Sequence, residues 1–467
     1  MNVKKNYIFN TINRISKVLI AVITVPYVSR VLGSSNIGIY SYTYTVATYF
    51  VLFIMLGLEN YGNREIAKNK HNKDELNRVF SEIYLMQVII GFIVLMIYFV
   101  YSFMSVDQYT VIFRIQSVYV FGALLDVNWA LCGLEEFEFT SIRNIILNVV
   151  SLILILFFVN DKSSLFKYTL ILCVVSLLNN CTGWIYIRRH IRLVRVERIS
   201  VLKRVLPNIV LFIPVFAVSL YKMMDKIMMG MMTGINQVGL YESAEKIIQI
   251  PTLLISSLGT VMLPRMSSLY SLGMNDDARD YLKKSINISM LLSTSLCFGI
   301  MGISKEFVPI FYGRGFSLCS TLYLILLPCC IFLAFSNVIR TQFLIPKSKD
   351  KIYITAVISG AIVNMILNVM FIPKFGAVGA AIGTFIAEIT VCVIQTIAVR
   401  EYLPIKNYLA QSILYTLLGT LMFLIIYFIK FNISLLLLMV IKVVLGGIVY
   451  IVGFLFIQRR QCKLQHG

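Results

Sequence analysis

Apolar runs of about 20 residues recur along the whole chain, and a helix of that length crosses a hydrocarbon core of ~30 Å. Inside lipid every backbone polar group needs an internal partner, which leaves only helices or a closed barrel. Barrel strands alternate apolar and polar residues over segments of ~10 residues, and this chain has no such alternation. Only 14% of its 467 residues are charged and 58% are hydrophobic, against ~25% charged in soluble domains. The expectation is an all-α polytopic membrane protein.

Fourteen spans are predicted, near 7–32, 36–58, 81–103, 110–133, 142–160, 167–187, 207–232, 238–263, 285–304, 317–339, 352–373, 377–399, 408–430 and 433–457. An even number puts both termini on one side. Of the 42 lysines and arginines, 28 then fall on the side of the termini, Arg143 among them, 7 on the opposite side and 7 within spans. Cytoplasmic loops collect Lys and Arg, so both termini are expected in the cytoplasm and the protein in the cell membrane. The net charge of +20 follows from that placement, and no nucleic-acid partner is needed to explain it. The most basic loop, Arg188 to Arg204, lies near the midpoint, where a linker between halves belongs, and is placed to contact anionic membrane lipid. The apolar run from Tyr7 is interrupted by Arg14 and Lys17, so it reads as a retained first span and not as a cleaved signal.

The halves are related. Gly33, Ile37, Gly38, Ile39 and Tyr40 match Gly234, Val238, Gly239, Leu240 and Tyr241 at a constant offset of 201 residues, and the same offset pairs Arg64 with Arg265, each just past the following span. Six spans per repeat insert both copies the same way up. The chain therefore divides into an N-terminal lobe (1–200), a C-terminal lobe (201–400) and two extra helices with a tail (401–467). Proline at positions 26, 214, 251 and 328 marks expected bends, and Gly376, Gly379 and Gly383 make a small-residue face for close helix packing.

Charges at membrane depth cost at least ~2.5–3.5 kcal/mol each, so they usually face a cavity or a partner. Asn10, Arg14 and Lys17 fall at i, i+4 and i+7, one face of the first helix. No acid in the first two spans lies deep enough to pair with these bases, so two readings stand: a cationic cavity wall, or an ion pair with a distant acid such as Asp126 or Glu388. A planar guanidinium suits a diphosphate because it donates two hydrogen bonds at once. The matching second hairpin carries Lys222, Asp225, Lys226, Glu242, Glu245 and Lys246, spaced for ion pairs within each helix. They read either as a gate network or as carboxylates that exchange H⁺ or Na⁺. Asn364 and Asn368 are spaced to hydrogen-bond across helices. Tyr40, Tyr42, Tyr44 and Tyr49 read as interfacial aromatics or as platforms for sugar rings. There is no nucleophile elbow, Walker A loop or HExxH motif, and the nine cysteines show no metal-ligand spacing. Neither an enzyme nor a resident cofactor is expected. The energy source is then an ion gradient, the substrate's own concentration difference, or removal of product outside.

PYVSRVLG at 26–33, IGIYSY at 37–42, DKIMMG at 225–230, VGLYESAEK at 238–246, FYGRGF at 311–316 and GAVGAAIGT at 376–384 resemble the Wzx-type polysaccharide-unit flippases of the MOP exporter superfamily, the superfamily of the MATE transporters. The resemblance covers nearly the whole chain. It implies two pseudo-symmetric six-helix lobes in a MATE-like V around a central cavity, plus two C-terminal helices. The implied activity turns an oligosaccharide unit on undecaprenyl diphosphate from the inner to the outer leaflet by alternating access, for capsule or O-antigen assembly. A polysaccharide polymerase is an implied partner. A lipid II flippase and a cation-coupled drug exporter of the same superfamily are the alternatives. The bases of the first hairpin argue against the exporter, which would present acids to cationic drugs.

Overall fold

A computed structural model describes residues 3–104 and 109–466; the side chains of residues 3–8, 10, 14 and 460–466 lie outside that description. Among the described residues there is no strand. Thirteen helical stretches are long and apolar enough to cross a membrane, and the first of them, Thr11–Asn69, holds 59 residues. At ~1.5 Å per residue that is nearly three hydrocarbon thicknesses. It holds two crossings, because the backbone breaks at Gly33 (φ 76°, ψ 170°). The chain is a multi-pass membrane protein, and its described residues hold thirteen to fourteen candidate crossings, in line with the apolar runs.

It forms two compact units, residues 1–227 and 228–467. The first begins with α1 (Val3–Met55), α2 (Leu58–Asn69), α3 (Lys73–Met104) and α4 (Thr110–Leu124). It continues through α5 (Asn128–Gly133), α6 (Phe137–Phe158), α7 (Leu165–His190) and most of α8 (Arg198–Met232). The two arms of α1 form a hairpin. From the first arm, Tyr27 Oη donates to the Val159 carbonyl at 2.8 Å; from the second, Asn36 Nδ2 donates to the Lys162 carbonyl at 2.8 Å. Both arms thus end at the α6–α7 turn.

Gly33 is glycine for a backbone reason: a Cβ there would meet nothing within 4 Å, but φ is positive with ψ extended, a region nearly closed to other residues. Gly234, its partner in the internal repeat, adopts the same conformation (φ 105°, ψ 160°) ahead of the next helix. The two glycines of the motif therefore share one backbone conformation as well as one spacing.

The fourth predicted span is not continuous. The helix opens between α4 and α5, which frees carbonyls at membrane depth, and side chains satisfy them. Gln87 Nε2 donates to Ala123 and Asp126 carbonyls at 2.8 and 2.9 Å, Asn180 Nδ2 to Gly122 at 2.9 Å, and Trp184 Nε1 to Leu125 at 2.9 Å. Trp129 Nε1 holds Gln87 in turn through its Oε1 at 3.0 Å. Freed backbone in a membrane needs such partners. Trp129, fully buried, stacks on Phe80 at 5.4 Å and anchors the apolar core beneath the break. The result is a fixed, polar, non-helical turn carrying Asp126.

The second unit holds α9 (Ile235–Ser271), α10 (Asn275–Gly302), α11 (Ser304–Phe311), α12 (Leu318–Leu326) and α13 (Cys329–Ile339). Beyond them lie α14 (Asp350–Phe375), α15 (Ala377–Val399), α16 (Ile405–Phe428) and α17 (Leu435–His466). Pro328 separates α12 from α13, the bend expected there. Gly379 and Gly383 let α15 lie against α14, where any Cβ would strike the Phe371 carbonyl or Asn368 Oδ1. Asn364 and Asn368 bond to each other along α14, with Asn368 Nδ2 donating to Asn364 Oδ1 at 3.0 Å.

Candidate functional site

The first unit contains a polar cavity of about 480 Å³. Each wall is one face of a helix. Tyr40 and Tyr44 come from the second arm of α1 at i and i+4, Asn144, Asn148 and Ser151 from α6 at i, i+4 and i+7, and Ser176, Asn179 and Asn180 from α7 at i, i+3 and i+4. Lys17 enters from the first arm of α1, Tyr119 from α4, Asp126 and Asn128 from the break, and Arg143 from α6.

Arg143 sits within the bundle. It lies inside α6, at the start of the expected span 142–160, and is only 7% exposed. The helix starts at Phe137, ahead of the purely apolar run, and carries the guanidinium into the wall. Its Nη2 donates to Asn128 Oδ1 at 2.7 Å and Asn144 Oδ1 at 3.2 Å, while buried Nε and Nη1 have no hydrogen-bond partner. Asn128 donates Nδ2 and its backbone N–H to Asp126 Oδ1 at 2.7 and 2.8 Å, and Asn179 Nδ2 donates to Asn144 Oδ1 at 2.9 Å. A carboxamide thus stands between the carboxylate and the guanidinium. The tyrosines form a continuous surface: Tyr40 stacks on Tyr44 at 5.5 Å, and Tyr44 meets Tyr119 at 5.0 Å.

The structure places Lys17 in this wall with Asp126, one of the two acids weighed as its partner; Glu388, the other, belongs to the second unit. The side chains of Asn10 and Arg14 lie outside the described residues. Of the tyrosines, Tyr42 turns away toward Tyr109 and Phe113, and Tyr49 donates to the Ser219 carbonyl at 3.3 Å. Spacing alone could have found Asn144, Asn148 and Ser151, which repeat at helical intervals in an otherwise apolar span.

The second-hairpin charges divide between the units. Lys222, Asp225 and Lys226 belong to the first; Asp225 is buried and Lys222 exposed. Glu242, Glu245 and Lys246 belong to the second, and Lys246 Nζ pairs with Glu242 Oε1 at 3.5 Å, as the i, i+4 spacing predicts. Arg64 within α2 and Arg265 in the C-terminal part of α9 are both exposed, over the rings of Tyr61 at 5.8 Å and Tyr281 at 5.5 Å. Arg204, at the start of α8, bridges Glu82 at 2.8 Å and Glu65 at 3.3 Å, joining α8 to α3 and α2. Between α5 and α6, the Lys70 ammonium at 2.7 Å bonds the Glu135 carboxyl and holds it below its usual range. Among the described residues no three His, Cys, Asp or Glu side chains gather as a metal site would need.

Comparison with known proteins agrees with this architecture. The polysaccharide biosynthesis protein family matches residues 3–270, and the MatE family matches residues 210–370. A protein of Escherichia coli K12 described as "Putative O-antigen transporter" is 22% identical over 86% of this chain and 97% of its own. A Haloferax volcanii protein described as "Probable low-salt glycan biosynthesis flippase Agl15" is 28% identical over 41% of this chain and 40% of its own. Among solved structures, the lipid II flippase MurJ in an inward closed conformation superposes with a TM-score of 0.79 at 16% identity, covering 98% of this chain and all of that one. An inward-facing MATE transporter gives 0.60 at 13% identity over 84% of this chain and 98% of its own. With its first family match running over more than half its length, the chain belongs to the polysaccharide biosynthesis protein family, and its fold is that of the MurJ and MATE structures.

Proposed function

We propose that the protein is a polysaccharide-precursor flippase. It turns oligosaccharide units linked to undecaprenyl diphosphate from the cytoplasmic to the outer leaflet of the cell membrane, by alternating access, for capsule or O-antigen assembly with a downstream polymerase. One observation carries this reading: a cavity of about 480 Å³ walled by carboxamides, hydroxyls and two bases, inside a unit otherwise built of apolar helices. Carrying a glycan through hydrocarbon strips its hydroxyls of water, at roughly 2–7 kcal/mol for each left unbonded. A wall of donors and acceptors removes most of that barrier. Lys17, with Arg14 on the same helix face and Asn10 a turn before, is assigned to the diphosphate.

The printed names of the E. coli and H. volcanii relatives support the substrate class. A drug exporter fits less well, because the wall sets Lys17 and Arg143 against the single acid Asp126. Asp225, Glu242 and Glu245 are the residues assigned to H⁺ or Na⁺ coupling, as carboxylates that exchange their cation during the cycle.

The test is flipping of a fluorescent undecaprenyl-diphosphate oligosaccharide in proteoliposomes. Losing a charge-assisted hydrogen bond costs ~1.5–3 kcal/mol, so Lys17→Ala should slow flipping about 10- to 100-fold. Wild-type rates from the Arg14→Ala/Lys17→Ala double variant, at normal protein levels, would refute the assignment. Imposed pH and Na⁺ gradients test coupling: a rate indifferent to both would exclude it. Flipping of lipid II at an equal or greater rate would move the protein to peptidoglycan precursors.

A further inference from the structure

The cavity holds a cation that transport of a neutral sugar does not require. Arg143 is 7% exposed, its Nε and Nη1 are buried without partners, and its Nη2 meets only neutral carboxamide oxygens. Asp126 does not neutralise it directly, because Asn128 stands between them, accepting from Arg143 and donating to Asp126. A guanidinium has five donors, and here three N–H groups are unclaimed. A buried cation without an opposed charge is costly, and such a group is retained where an anion comes to meet it.

What surrounds Arg143 describes the rest of that ligand. Carboxamides both donate and accept, which suits ring hydroxyls. The stacked Tyr40 and Tyr44 offer a flat face with a polar tip, which suits the C–H face of a sugar. A volume of about 480 Å³ lies in the ~300–1,000 Å³ range of small-molecule sites and admits a sugar-sized group, not a whole oligosaccharide with its lipid. We infer that this cavity is a selectivity pocket for an acidic sugar of the transported glycan, with Arg143 binding the sugar's carboxylate. The inference rests on the flippase reading. It assigns the diphosphate to Lys17 and Arg14 and leaves Arg143, which hydrogen-bonds to no carboxylate of the wall, to a single carboxylate of the ligand.

The experiment uses the full chain in lipid nanodiscs and two synthetic polyprenyl-diphosphate disaccharides that differ only in a terminal glucuronate or glucose. The wild type should bind the glucuronate lipid about 10- to 100-fold more tightly, as expected for a hydrogen bond to a charged group. Arg143→Gln should bring the two lipids to parity by weakening the acidic one far more than the neutral one, and a thermal unfolding transition at the wild-type temperature shows that the variant is folded. Gly183→Ala is an independent probe. A Cβ there would stand 3.2 Å from Arg143 Nη1 and 3.0 Å from Val127 Cγ2, displacing the guanidinium without removing its charge, and it should lower the preference part of the way.

Equal binding of both lipids by the wild type would overturn the inference while leaving the flippase reading intact. An equal loss for both lipids in Arg143→Gln would also overturn it, by giving the guanidinium to the diphosphate. A wild type that neither binds nor flips either lipid would instead overturn the flippase reading.

Discussion

One buried ion pair fastens α17 within the second unit. Lys442 Nζ on α17 donates to Glu306 Oε1 on α11 at 2.8 Å, with the two side chains 1% and 7% exposed. At an effective dielectric of ~20, two charges that close attract by ~6 kcal/mol. Desolvating both ions costs several kcal/mol each, so the pair as a whole comes out near break-even against apolar residues of the same size.

Half of the pair is another matter. Lys442→Met strands a carboxylate whose Oε2 already has no partner, and it should destabilise by ~3–5 kcal/mol, as should Glu306→Leu, which strands the ammonium. The Lys442→Met/Glu306→Leu double variant should return to within ~1–2 kcal/mol of wild type. The assay is equilibrium unfolding of the four proteins by SDS in mixed micelles, analysed as a double-mutant cycle. A double variant as unstable as the sum of the two singles would refute the reasoning, because the charges would then act independently and the 2.8 Å contact would carry no energy.

Three further predictions follow from the geometry. Gly33→Ala and Gly234→Ala should each cost ~1–3 kcal/mol by the same unfolding assay, since both force alanine into a region open essentially to glycine; a cost below experimental error at both would mean that the hairpins do not need this backbone conformation. Glu135, held below its usual carboxyl range by Lys70, adds stability above the ordinary Glu pKa of ~4.3 that fades as pH falls through its lowered value. The melting temperature of wild type should therefore exceed that of Glu135→Gln near neutrality, by a small margin for so exposed a pair, and converge with it in acid; a gap that widens on acidification would reverse the sign of the argument. A C-terminal reporter active only in the cytoplasm is expected from the asymmetry of Lys and Arg, and activity only outside would invert the topology.

Hydropathy is a local quantity, the transfer free energy of consecutive side chains, and whatever depends on it alone was legible. The candidate crossings, the all-α class and the family came from runs and motifs within single segments. The pairing of Gly33 with Gly234 was legible too, because both answer to a backbone requirement that no neighbour imposes. Lys17, Tyr40 and Tyr44 stood out because their side chains are unusual at membrane depth or recur on one helix face, and the structure sets all three on one cavity.

Arg143 shows where that reading stops. At the edge of an apolar run a guanidinium looks like any orienting charge, since transfer energies do not tell a loop from the first turns of a longer helix. Its place depends on α6 beginning at Phe137, on the break between α4 and α5, and on Gly183 leaving room beside Nη1. The break in turn holds because Gln87, Asn180 and Trp184 reach its carbonyls from helices far away in sequence. The chain's own sequence thus decided that it would live in the membrane as a bundle of helices. Only the folded unit decided where that bundle is polar inside, because a cavity is made by faces of separate helices meeting, and no single stretch of residues contains it.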